Sequence, residues 1–170
     1  MAAANQPKGS ISAGSIKPVT RKAVRCQREV AWLVTQAAGK LVATTDDVNA
    51  PTPSFVLTAA LSYTRKQEQA AQDRGTAIDY KAVMNPDLAS FCQAAGLPAA
   101  PNALSDAGYM FTLSGADLIR DLYAYCGDLG KRMGDPVQVK PGYAIKLALR
   151  LFLLGDAAGN GATPADNASA

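Results

Sequence analysis

The segment from Gly142 to Leu154 constrains the fold more than any other stretch of this chain, because it is apolar on almost every side of a helix. A helix of that kind must be covered by other elements, so we expect it at the centre of the core. Two cations interrupt it, Lys146 and Arg150, which are four residues apart and therefore share one helix face. Because unpaired buried charge is expensive, the sequence predicts an anion or a solvent channel beside these two side chains.

The apolar periodicity of the earlier segments is helical as well. A first helix is predicted from Arg21 to Ala43, where apolar residues recur at three- and four-residue steps. A second helix is predicted to begin with Ser54 as its N-cap, to turn Phe55 inward, and to end just before Gly75.

Two further start signals lie in the second half of the chain. Asn85-Pro86-Asp87 supplies a capping residue, a proline and an acid ahead of a short helix from Leu88 to Ala95. Ser114-Gly-Ala-Asp117 has the form that opens a helix, which is expected to end at Gly134-Asp-Pro136. Together these signals predict an all-α fold, a compact helical core of about five helices with extended N- and C-terminal arms.

Both ends of the chain differ in composition from the body. Residues 1–20 predict a flexible basic N-terminal arm, residues 21–155 the helical core domain, and residues 156–170 a low-complexity C-terminal tail. From Met1 to Arg28 there are six cations and no acid. Charge asymmetry of this kind suggests a basic arm that meets a polyanion.

Several functional classes are disfavoured by the residues present. The chain contains no histidine, which removes the commonest general base, the commonest zinc ligand and the Ser-His and Cys-His nucleophile pairs. Cys26, Cys92 and Cys126 are too widely spaced to predict a disulfide framework or a metal cluster. Asp117 and Asp121 are better explained by the helix dipole than as a catalytic pair. We therefore predict that the chain is not an enzyme and has no catalytic or metal-binding residues, no cofactor and no small-molecule substrate.

The apolar stretches are also too short for a membrane protein. None approaches the roughly 18 residues that a helix needs to span a bilayer, and the N-terminus lacks the hydrophobic core of a secretory signal. No membrane partner is predicted.

The basic residues form the one pattern that suggests a binding function. Phosphate binding needs cations distributed along a surface and no particular motif. We predict that single-stranded RNA is bound non-specifically by cations of the basic N-terminal stretch and of the last two helices: Arg21, Lys22, Arg25, Arg120, Lys131, Arg132, Lys146 and Arg150. For any one of them, an ordinary solvated surface charge is an equally good interpretation.

Two segments of the second half carry a resemblance to a known family. They are Gly115-Ala-Asp-Leu-Ile-Arg120-Asp-Leu-Tyr-Ala-Tyr-Cys126-Gly-Asp and Lys140-Pro-Gly-Tyr143-Ala-Ile-Lys146-Leu-Ala-Leu-Arg150-Leu-Phe-Leu-Leu-Gly155. In this order they resemble the coat proteins of flexible filamentous plant viruses, the potexvirus, vitivirus and potyvirus group. The aspartate of the second family motif is replaced by Leu151, so Arg120 is expected to use Asp128 or Asp156 as its partner.

The resemblance implies an all-α core whose arms join neighbouring subunits along a helical filament, with a groove of cations that holds single-stranded RNA. Tyr123, Tyr125 and Tyr143 are the possible stacking platforms for bases. The predicted function is therefore a structural coat subunit, a capsid protein of a virion in the host cytoplasm, which forms homo-oligomers through arm exchange. Two alternatives stay open: a helical adaptor or particle structural protein without nucleic acid, and an enzyme of unrecognised type that uses Asp and Lys.

Overall fold

The computed structural model describes residues 17–45, 49–101, 104, 108–134 and 138–155. The predicted C-terminal tail and residues 1–16 of the predicted arm lie outside these residues. The described part is mostly helical, with six helices and one sheet of two strands. In chain order the elements are β1 (Arg21–Cys26), α1 (Glu29–Thr44), α2 (Pro53–Asp73), α3 (Tyr80–Met84), α4 (Leu88–Ala94), β2 (Tyr109–Ser114), α5 (Ala116–Arg132) and α6 (Pro141–Leu154).

Helix α6 lies at the centre of the core, and this confirms the prediction made from its apolar composition. It packs against α1, α2, α3, α5 and β1. Its apolar side chains from Ala144 to Leu153 are buried on all sides of the helix. Burial of this apolar surface is the main driving force that gathers the other elements around α6.

The anion predicted beside the two cations of α6 is Glu29, at the start of α1. The Arg150 Nη2 lies 3.3 Å from Glu29 Oε2, and Lys146 forms an ion pair with the other carboxylate oxygen. Only 1% of the Arg150 side chain is exposed, against 13% of Glu29. One carboxylate therefore pairs with both cations where α1 meets α6, and the group of three side chains keeps one net positive charge.

Arg150 also fixes the connection between α3 and α4. Its Nη1 donates hydrogen bonds to the carbonyl oxygens of Val83 and Pro86, at 2.9 and 2.8 Å. Its guanidinium lies 4.6 Å from the centre of the Phe91 ring. The Arg150 guanidinium thus donates hydrogen bonds to carbonyls at and just after the end of α3, and it stacks on the ring of Phe91 in α4.

The prediction of an all-α core needs one correction, since residues 21–26 form a strand and not the start of the first helix. Strand β1 pairs antiparallel with β2, with Val24 opposite Phe111 and Cys26 opposite Tyr109. Both segments alternate between buried and exposed side chains, which is the period of a strand. Strand β2 was not predicted because its apolar residues stand next to a strong helix start.

Several predicted helix starts shift by one to three residues. Thr52 caps α2, where its hydroxyl accepts a hydrogen bond from the Phe55 amide, in place of Ser54. Phe55 is 58% exposed, so the prediction that it faces inward is wrong. The hydroxyl of Ser54 instead accepts a hydrogen bond of 2.9 Å from the Ser114 amide, which ties α2 to the end of β2.

The other corrections are local. Asp87 caps α4 in place of Asn85, because its carboxylate accepts the Ser90 amide at 2.7 Å. Helix α3 was not predicted. Gly75 follows the end of α2 with a φ of 69°, as expected for the glycine after a last helical turn.

The Arg150 cluster generates a stability prediction. Arg150→Ala leaves Glu29 and buried carbonyls without their donor, so we expect the free energy of unfolding to fall by about 3–5 kcal/mol. Arg120→Ala is the matched control, because that side chain is 71% exposed and its loss is expected to change stability by less than about 0.5 kcal/mol. Urea denaturation of both variants measures the difference. Equal losses in the two variants would contradict a structural role for Arg150.

Candidate nucleic-acid interface

The outward face of the β1–β2 ribbon carries two of the predicted cations. Val24 and Cys26 point into the core, so Arg21 and Arg25 lie on the opposite, exposed face of β1. Four residues of extended chain place their Cα atoms about 13 Å apart. Lys22 belongs to the inward side at the open end of the ribbon, where its ammonium lies 4.3 Å from the centre of the Tyr123 ring.

A cleft of about 360 Å³ opens beside the end of this ribbon, and we call it the basic cleft. Three segments line it: the end of β1 with the residue that follows, the end of α3, and the start of α6. The lining residues are Arg25, Cys26, Gln27, Met84, Asn85, Lys140, Gly142, Tyr143 and Lys146. Three of them are cations, and no carboxylate belongs to this set.

The close approach of α6 to β1 shapes the basic cleft. A Cβ atom on Gly142 would lie 2.6 Å from the Arg25 carbonyl oxygen, so only glycine allows the two backbones to come this close. Pro141 occupies the first turn, and no side chain caps the helix at Lys140. The positive end of the α6 dipole therefore adds to the field of Arg25 and Lys140.

Lys146 forms the inner wall of the basic cleft and is only 15% exposed. Its ammonium donates a 2.9 Å hydrogen bond to the Gln27 side-chain oxygen and pairs with Glu29. Because Glu29 is shared with Arg150, the three side chains together carry one net positive charge. Lys146 therefore adds to the potential of the cleft but is held in place.

The remaining predicted cations do not line the basic cleft. Arg150 is buried and engaged by Glu29 and backbone carbonyls, which corrects the expectation that it contacts phosphate. Arg120 pairs with Asp117 at 3.1 Å and with Asp121 at 3.7 Å on its own helix. The expected partner Asp128 is not used, and Asp156 lies outside the described residues.

Lys131 and Arg132 stand at the exposed end of α5. Arg132 forms an ion pair with the buried carboxylate of Glu68. The other oxygen of Glu68 accepts hydrogen bonds of 2.8 Å from the hydroxyls of Tyr80 and Tyr125. These four side chains form the Glu68 cluster, which joins α2, α3 and α5.

The Glu68 cluster removes one of the three predicted stacking platforms. Tyr125 is 1% exposed, and burial holds the pKa of its hydroxyl well above the ordinary value. Tyr123 lies under the Lys22 ammonium, as described above. Tyr143 lines the basic cleft, and burial raises the pKa of its hydroxyl.

Sequence reasoning missed three residues that define this region. Glu29 is the first acid after 28 acid-free residues, and that position was the available signal for its role as counter-ion. Gln27 carries no signal of its own, and Asn85 was predicted only as a helix cap. Gln27 is placed beside the cations by β1 and Asn85 by α3, and neither element was predicted.

Comparison with protein-family models, curated proteins and solved structures gave no significant match. The resemblance to filamentous coat proteins therefore stays a prediction. Among the described residues, no helix is both long and apolar enough to cross a membrane. The same residues contain no group of three or more acids and cysteines placed to hold a metal ion.

The Glu68 cluster generates a prediction about alkaline pH. Burial and the bond to Glu68 raise the pKa of Tyr80 to about 12, from the model-compound value of 10.0. The folded state keeps this proton at a pH where the unfolded chain releases it, so stability is lost as pH rises from about 10 towards 12. Tyr80→Phe is expected to show a smaller loss of the urea midpoint between about pH 8 and about pH 11.

Tyr123→Phe is the matched control, since it removes a hydroxyl outside the Glu68 cluster. It is expected to keep the pH dependence of the unmodified chain. An identical alkaline loss in the chain and in Tyr80→Phe would show that the cluster does not hold this proton.

Proposed function

We propose that this chain is a structural subunit of an RNA-containing filament and holds single-stranded RNA non-specifically through its phosphates. The observation that carries the proposal is the basic cleft, where cations from β1 and α6 meet without a carboxylate among the lining residues. Such a surface neutralises phosphates, and its affinity comes from the release of condensed counterions.

The ribbon extends this surface away from the cleft. Arg25 belongs to both, and Arg21 lies four residues before it on the same exposed face. None of the described carboxylates forms an ion pair with Arg21, Arg25 or Lys140. These cations are therefore available to a polyanion that follows the ribbon into the cleft.

Contacts between subunits are proposed on a second surface. Val42 and Phe55 are large apolar side chains that are 44% and 58% exposed, and both line a groove of about 290 Å³ with Leu41 and Pro51. An N-terminal segment of a neighbouring subunit, which contains Ile11 and Ile16, is the proposed occupant. A head-to-tail contact of this kind is heterologous and builds open filaments when its rotation does not close a ring.

One observation favours the alternative, a helical adaptor or particle structural protein without nucleic acid. Four of the eight predicted cations are already paired with carboxylates of the same chain: Arg120, Arg132, Lys146 and Arg150. Ion pairs within the chain leave fewer positive charges that could bind the phosphates of RNA. Direct RNA-binding measurements separate the two functions.

The first test removes the charges of the basic cleft. Arg25→Ala with Lys140→Ala is expected to weaken binding of a labelled oligouridylate, and to lower the slope of log K against log salt by about one for each lost phosphate contact. Fluorescence anisotropy at several salt concentrations measures both quantities. The matched control, Lys66→Ala with Lys81→Ala, removes the same charge from exposed positions of α2 and α3. Equal effects of the two double variants would contradict the basic cleft as the binding surface.

The second test concerns assembly. Phe55→Asp is expected to leave the fold intact, because the ring is exposed, and to reduce filament formation by burying a charge in the proposed contact. Sedimentation velocity and electron microscopy, with and without RNA, measure the assembled fraction. Thr58→Asp, at an exposed position one turn later on α2, is the control. A chain that stays monomeric in every condition would contradict the filament.

A further inference from the structure

Tyr143 is the tyrosine that shares the basic cleft with cations. Tyr80 and Tyr125 donate their hydroxyls to Glu68, and Tyr109 packs edge-on against Phe111 with ring centres 6.2 Å apart. Tyr143 lies one turn before Lys146 on α6 and is partly exposed. An aromatic ring is not needed to bind phosphate, but it gives the flat face of a nucleobase a surface to stack on.

The amide side chains of the basic cleft can also hydrogen-bond a nucleobase. Asn85 follows the end of α3 and is exposed, and it lines the cleft together with Tyr143. The side-chain oxygen of Gln27 accepts a hydrogen bond from the Lys146 ammonium. The NH₂ group of Gln27 can then donate to a ligand. The Asn85 amide can both donate and accept hydrogen bonds, which matches the mixed edge of a base, whereas Gln27 offers donors only.

The size of the basic cleft limits what can enter it. Its volume of about 360 Å³ is near the lower end of the range for small-molecule sites, about 300–1,000 Å³. One nucleotide is a ligand of this scale. A base inside a duplex has both faces covered by its neighbours, so it reaches an aromatic ring only after it is unstacked, at a cost in free energy.

We propose that the basic cleft is a site for one unpaired nucleotide, with the base on the Tyr143 ring beside the Asn85 amide and the phosphate between Arg25 and Lys140. This inference rests on the proposed function and deepens it. The proposed function needs only the phosphates of the RNA, whereas this site also requires an exposed base. Arg25 and Lys140 supply affinity for the backbone, while Tyr143 supplies the preference for unpaired bases.

Substitutions at Tyr143 test the stacking. Tyr143→Ala is expected to weaken oligouridylate binding about tenfold or more, and Tyr143→Phe to keep it, because the ring is retained. Inorganic polyphosphate of similar charge is expected to bind the unmodified chain and Tyr143→Ala equally. Arg25→Ala with Lys140→Ala is expected to weaken both ligands. Thermal unfolding checks that each variant folds, and Tyr143→Leu replaces the alanine variant if that one does not.

A measurement on the unmodified chain needs no variant. An oligonucleotide that carries the fluorescent base 2-aminopurine is expected to be quenched on binding, and a duplex of the same sequence is expected to bind more weakly than the single strand. Oligouridylate binding that is the same in Tyr143→Ala, or a loss of the same size for polyphosphate, would overturn the nucleotide site and leave the proposed function standing. If the unmodified chain binds neither RNA nor polyphosphate, the proposed function fails as well.

Discussion

The ion pair between Arg150 and Glu29 is the interaction on which the rest of this structure depends. Arg150 is buried in the central helix, and its charge is tolerated because the Glu29 carboxylate and the carbonyls of Val83 and Pro86 surround it. The same carboxylate binds Lys146 one turn earlier on α6. Glu29 therefore fixes the rotation of α6 about its axis, and Arg150 fixes the position of α3 and α4 against it.

The basic cleft follows from that arrangement. With α6 fixed by Glu29, its first turn lies against β1, and Gly142 lets the two backbones meet beside the Arg25 carbonyl. Lys140 and Tyr143 then face the same opening as Arg25. The cations of the proposed interface are thus spread over a strand and a helix that are far apart in sequence, and their common surface depends on the buried contacts behind it. In this way the packing of the core determines where the proposed binding surface lies.

The central features of the core could be predicted from sequence, because they depend on strong local signals. The apolar surface of α6 required a central position, and the two cations on it required an anion or a solvent channel. Strand β1 could not be predicted in the same way. Of its apolar residues, Cys26 also fits a helical period with the α1 stripe, and its partner β2 is more than 80 residues away. Pairing with β2 makes residues 21–26 a strand and not a helix, and this pairing also places Arg21 and Arg25 on the exposed face. Glu29 could not be identified as the shared counter-ion for the same reason, because Lys146 and Arg150 are more than 110 residues away in sequence.

A crosslinking experiment tests the proposed RNA site directly. Photo-crosslinking of 4-thiouridine RNA to the full chain, followed by mass spectrometry of the crosslinked peptides, reports which residues lie beside the bases. We expect crosslinks on the start of α6 around Tyr143 and on the segment from Arg25 to Gln27. Crosslinks confined to α5, around Arg120, Lys131 and Arg132, would contradict the basic cleft as the place where RNA is held.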